Sequence, residues 1–131
     1  MTANARWHAD EAATRCELKM QDANLRVDAD VPAGGSPGQP TPHDLLDAAL
    51  ASCTTLTLSL YAQHKGFALA GLDVKVSHQK EDGSYVLLRE ISLPPGLPDA
   101  ARAGLLRVAD ACPVHKVLSG QIAIRTQSVT R

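Results

Sequence analysis

Thr41-Pro42-His43-Asp44-Leu45-Leu46-Asp47-Ala48-Ala49-Leu50-Ala51-Ser52-Cys53-Thr54-Thr55-Leu56, running on to Lys65-Gly66, carries the clearest structural signal in the chain. Thr41 suits a helix N-cap, Pro42 the first helical position, and Asp44 follows Thr41 at capping-box spacing. Leu46, Ala49, Leu50, Cys53, Leu56 and Leu60 form an apolar stripe at helical spacing, and Gly66 after Lys65 ends it. The spacing predicts a helix over 42–65, about 36 Å long at 1.5 Å rise per residue. Such a helix crosses a whole domain and is expected at its centre.

Working outward, residues 31–40 hold three prolines and three glycines, a loop leading from sheet to helix. Upstream, residues 5–29 read as strands in two or three pieces. Leu18 and Met20 alternate with Glu17 and Lys19, and Leu25, Val27 and Ala29 alternate with Arg26 and Asp28 around a turn at residues 21–24. Downstream, Leu72, Val74 and Val76 alternate with polar neighbours, residues 81–84 turn the chain, and Tyr85, Leu87, Ile91 and Leu93 return on one face. Pro98-Asp99 opens a second helix with Ala101, Leu105, Val108 and Cys112 on its stripe. Pro113 opens a short third helix to Leu118, and Ile122 and Ile124 mark a last strand. The order ββ(β)–α–ββ–αα–β is α+β, in a single domain spanning 1–131.

Thirteen Lys+Arg against fourteen Asp+Glu, with 3% aromatic residues, exclude a broadly basic, base-stacking nucleic-acid binder. No apolar run approaches the ~18–20 residues of a membrane span. The first ten residues have no apolar signal core. The expected location is therefore the cytoplasm, with no nucleic-acid or membrane partner. In that reducing compartment the three cysteines, an odd count, are expected as thiols or redox groups rather than structural staples.

Cys53 lies mid-helix on the apolar stripe, where a small hydrophobe is one reading and a reactive thiol the other. Cys112 precedes Pro113, so it N-caps the short helix, with backbone N–H groups and the nearby His115 and Lys116 favouring thiolate. The alternative is a filler at a kink between helices. Both cysteines fall on buried stripes, so the two sulfurs meet if those helices pack together. Cys16 reads as a core filler. Arg89 interrupts the apolar face between Leu87 and Ile91, either as a paired core or interface arginine or as one snorkelling from a strand end. Cys112 and His115 make only half a metal site. No phosphate loop, nucleophile elbow or carboxylate pair is present.

Residues 35–58, from Gly35-Ser-Pro-Gly-Gln-Pro through Cys53-Thr-Thr-Leu-Thr-Leu, together with Cys112-Pro-Val-His-Lys-Val-Leu, resemble the osmotically inducible protein C / organic hydroperoxide resistance family. The likeness is nearer to its OsmC-like branch and covers nearly the whole chain. It implies an OsmC-like fold: an intertwined homodimer with antiparallel sheets from both subunits around two long central helices. It also implies a peroxidase without bound cofactor that reduces organic hydroperoxides and is itself reduced by an external dithiol. By position, Cys53 matches the peroxidatic cysteine and Cys112 the resolving one. Arg15 lies closest to the family's site arginine, with Arg26 as a fallback, and His43 stands where the family has a glutamate. An imidazole there leaves the arginine without its carboxylate, which points to weak activity. Leu46, Leu50 and Leu56 are expected to line the peroxide's tail. The rival reading is a non-catalytic member that holds a small apolar ligand in the dimer cleft.

Overall fold

The capping box closes at the head of the long helix: Thr41 N–H donates to Asp44 Oδ2 at 2.9 Å, and Asp44 N–H to Thr41 Oγ1 at 3.2 Å. The structure is a computed structural model describing residues 2–9 and 12–130. Its strands are β1 (Ala3–Arg6), β2 (Arg15–Met20), β3 (Ala23–Asp28), β4 (Asp73–Glu81) and β5 (Ser84–Ser92). Its helices are α1 (Pro42–Lys65), α2 (Asp99–Ala109) and α3 (Pro113–Ser119), with a short 3₁₀ turn at Val31–Ala33. The chain divides into two compact units, 1–48 and 49–131, the boundary falling within α1.

In the first unit β1, β2 and β3 form an antiparallel sheet in sequence order. Cys16 pairs across the ladder with Val27, and Leu18 with Leu25. Leu18 and Val27 are buried, Cys16 is half-buried, and Met20 reaches the surface. The turn is tighter than the sequence suggests, with β2 ending at Met20 and β3 starting at Ala23.

In the second unit β4 and β5 form an antiparallel hairpin. Asp82 and Gly83 both have positive φ, 48° and 82°, the two-residue turn whose twist matches its flanking strands. Leu58, Leu105 and Ala109 are fully enclosed, with Tyr61, Leu72, Ile91 and Val108 packed around them. These contacts join α1, α2 and the hairpin into one core.

Three expectations are corrected. The stripe that α1 buries is Leu50, Thr54, Leu58 and Ala62, not the one read from hydropathy. Leu46, Leu56 and Leu60 are exposed instead, at 40%, 63% and 67%. Thr54 counts as polar in sequence, yet its hydroxyl finds a partner and so tolerates burial. Ile122 and Ile124 form no strand, because the segment after Gly120 has no strand partner among the described residues. Finally, α1 is long and apolar enough to cross a membrane by length and composition, at mean hydropathy 1.3, with 28% of that window buried in the chain. Its interspersed serines and threonines break any uninterrupted run but barely lower the average.

Candidate active site

Cys53 projects from the middle of α1 and is half-buried; Cys112 sits at the N-cap of α3 with no exposed surface. Both are free thiols, and they are neighbours: Cys53 is among the groups that act on the Cys112 sulfur. Cys53 Sγ also lies 4.0 Å from Thr57 Oγ1. Burial pushes the Cys112 thiol up, but the Cys53 side chain, the His115 N–H, the Thr54 hydroxyl and the Val114 N–H together draw it below the ordinary thiol value. The sulfur closes no full capping hydrogen bond. The N–H groups of α3 act on it through their orientation.

Beside this pair stands Arg89 of β5, and of its two readings, paired or snorkelling, the structure shows the paired one. Nη1 donates to Thr54 Oγ1 at 3.1 Å, and Nη2 to Asp110 Oδ1 at 3.0 Å and to His115 Nδ1 at 3.1 Å. Its side chain is only 13% exposed, against 71% for Asp110. A cavity of about 400 Å³ adjoins Arg89 and His115, with Leu50, Tyr85, Val86 and Leu87 among its walls. Of the leucines expected to line a substrate tail, Leu50 lies there, while Leu46 and Leu56 face outward.

The other two candidates lie in the first unit. Arg15 donates from Nε at 3.4 Å and from Nη2 at 3.2 Å to Asp28 Oδ2. His43 Nδ1 lies 3.5 Å from Asp30 Oδ2. The expectation of an arginine without a carboxylate is therefore corrected: Asp28 supplies one, from the neighbouring strand rather than from the helix. Asp28 is buried, and the Ser36 N–H, the Thr14 hydroxyl, Arg15 and the Ala29 N–H hold its pKa at about 2 against the opposing effect of burial.

A pH dependence follows. Asp28 is more acidic folded than unfolded, so it favours the fold above about pH 4 and loses that effect as pH falls towards 2. Urea unfolding midpoints are expected to drop across this window and to flatten in Asp28→Asn. A variant with the parent's acid sensitivity would assign that sensitivity elsewhere.

Thr54 escaped the sequence reading, and of the two readings given for Arg89 the paired one holds. The signals were Arg89 on an inward-facing strand position and Thr54 at i+4 between Leu50 and Leu58.

Over 94 residues the chain is 31% identical to peroxiredoxin OsmC of Escherichia coli, a match covering 66% of this chain and 65% of that protein's length. A Psychrobacter arcticus protein of osmotic stress induction and detoxification response superposes with a TM-score of 0.75 at 22% identity, over 89% of this chain and 87% of that one. An organic hydroperoxide resistance protein OsmC from Legionella pneumophila gives 0.68 at 19% identity, over 91% and 88%. Both structures share the mixed fold of small antiparallel sheets and helices. The sequence pattern of the family described as OsmC-like protein matches residues 33–127, a span that holds both Cys53 and Cys112, and the chain belongs to that family.

Proposed function

We propose that this protein is a cytoplasmic, homodimeric, thiol-dependent peroxidase that reduces organic hydroperoxides, with Cys53 as peroxidatic and Cys112 as resolving cysteine. The observation that carries this reading is the pair of neighbouring free thiols with one member half-buried and the other enclosed. Peroxide reaches Cys53, and Cys112 waits behind it. The names of the family relatives, peroxiredoxin and organic hydroperoxide resistance protein, support a peroxidase-type role.

The Cys53 thiolate attacks the distal peroxide oxygen, forming an S–O bond and breaking O–O. The alkoxide leaves and takes a proton to become the alcohol. The Cys112 thiolate then attacks the Cys53 sulfenic acid, forming the disulfide and releasing hydroxide. An external dithiol returns both thiols by exchange. The apolar walls at Leu50, Val86 and Leu87 suit an organic tail. Arg15, held by Asp28, and His43 keep the supporting roles that the family resemblance implies.

The homodimer reading rests on surface the chain leaves bare. Leu56 and Leu60 on α1 and Ile122 and Ile124 beyond α3 are exposed, more apolar area than one subunit hides. A second copy covers α1 and pairs with the unpartnered final segment. Light scattering is expected to return twice the 13.9 kDa chain mass. A stable particle of single-chain mass at micromolar concentration would overturn the dimer.

The catalytic test is a turnover assay of purified protein with cumene hydroperoxide and dithiothreitol. Peptide mapping after one equivalent of peroxide is expected to link Cys53 to Cys112 within one chain, with Cys16 free. No peroxide consumption would favour the ligand-binding alternative; a Cys16 link would defeat the proposed pairing.

A further inference from the structure

Arg89 lies opposite Val76 in the β4–β5 ladder, on the face where Val74 and Ile91 are also half-buried. From there its guanidinium reaches an acceptor on each of the flanking helical segments. Thr54 Oγ1 on α1 lies at 3.1 Å, Asp110 Oδ1 at the C-cap of α2 at 3.0 Å, and His115 Nδ1 on α3 at 3.1 Å. A guanidinium offers donors only and stays charged, so all of these atoms accept. His115 therefore carries its ring proton on Nε2.

Where those acceptors sit in the chain is the informative point. Thr54 is the residue after Cys53, and Asp110 and His115 stand on either side of Cys112. One planar group thus ties the stretch of α1 beside one thiol to the turn that carries the other, through bonds spanning 35, 21 and 26 residues. The turn's own backbone bonds are local: Cys112 N–H donates to the Ala109 carbonyl at 3.2 Å, and Lys116 N–H to the Cys112 carbonyl at 3.1 Å. They hold the shape of the turn without fixing where it rests on α1. Packing of Leu105 and Ala109 with Leu58 joins α2 to α1, but apolar contact has no direction. The Arg89 fork has one.

We propose that Arg89 is a positioning residue for disulfide closure: its fork holds the Cys112 turn against α1 at Thr54 and so keeps the two thiols within reach of each other. A disulfide tolerates little error, since its Cα atoms must lie within about 7 Å and its torsion near a right angle. Arg89 acts by placing backbone, not by touching sulfur. Its part in a peroxide-reducing cycle rests on the peroxidase reading above; its effect on closure does not.

The test uses glutathione and no peroxide. In a Cys16→Ser background one protein thiolate attacks oxidised glutathione, the second displaces the attached glutathione, and two glutathione thiols leave for each disulfide formed. The equilibrium constant of that exchange measures the effective concentration of one protein thiol at the other. Arg89→Met is expected to lower it about tenfold, and Thr54→Val and His115→Ala each by less. The double variant Arg89→Met/Thr54→Val should fall no further than Arg89→Met alone. Arg89→Lys should recover only part of the loss, because an ammonium lacks the planar fork. Leu18→Ala, buried in the other unit, weakens the fold without touching these bonds and should leave the constant unmoved. An equal fall in Leu18→Ala would make the Arg89 effect one of general stability and overturn the proposal. So would an unmoved constant in Arg89→Met, additive losses in the double variant, or a parent in which glutathione links no Cys53–Cys112 bond. Should Arg89→Met not fold, unmoved constants in both Thr54→Val and His115→Ala overturn it. A parent protein that behaves as described yet consumes no hydroperoxide would refute the peroxidase reading and leave this proposal standing.

Discussion

Exchange of Cys53 for serine is expected to bring organic hydroperoxide consumption down to that of dithiothreitol alone, a loss of at least about 100-fold. A serine hydroxyl is not ionised near neutral pH, and only sulfur can accept the oxygen as a sulfenic acid. Cys112→Ser separates the two steps. It should still consume the first equivalent of peroxide, but leave a sulfenic acid on Cys53 that dimedone traps and mass spectrometry detects. Cys16→Ser, on the far side of the sequence from either thiol, should keep the parent rate. Retained activity in Cys53→Ser, or lost activity in Cys16→Ser, would mean that the wrong sulfur has been placed first.

The largest stability effect is expected at Gly35. A Cβ there would overlap the Ala29 carbonyl oxygen, lie 2.6 Å from the Ala29 carbonyl carbon and 3.1 Å from Asp28 Oδ1. The first two are backbone atoms with no rotamer to retreat into, so the loop itself must move. Gly35 N–H donates to the Asp30 carbonyl at 3.1 Å, and the next N–H, that of Ser36, to Asp28 Oδ2 at 3.0 Å. Gly35→Ala is therefore expected to cost about 3 kcal/mol in urea unfolding. It should also let the Asp28 pKa rise from about 2 towards its ordinary 3.8, since the Ser36 N–H is its main support. A Gly35→Ala chain as stable as its parent would show that the loop relaxes without strain.

The fold was legible wherever local chemistry decides it. Thr41, Pro42 and Asp44 marked the start of α1, Gly66 its end, and Pro113 the start of α3. Alternation gave both hairpins. The strand reading of Ile122 and Ile124 failed because alternation identifies strand-like residues, whereas a strand exists only with a partner edge. The buried side of α1 was misread because hydropathy ranks Leu56 and Leu60 above Thr54, while burial follows which groups find partners. In the site, Cys53 and Cys112 stood out as cysteines on facing stripes. Asp28 did not, and Arg89 was left between two readings, because each takes its role from contacts distant in sequence, from Arg89 to Thr54 across 35 residues and from Asp28 to Arg15 across 13.

In the proposed cycle, the enclosure of Cys112 behind a half-buried Cys53 would also set the regiochemistry of reduction. An incoming thiolate must approach the disulfide in line with the bond it breaks, and the open approach ends at Cys53 Sγ. The mixed disulfide with the proposed reductant would therefore form on Cys53, with Cys112 as the leaving group. Exchange runs faster when the departing thiol has the lower pKa. The groups that draw Cys112 below the ordinary thiol value would thus favour its departure, so in that cycle the same burial would guide both closure of the disulfide and its reopening.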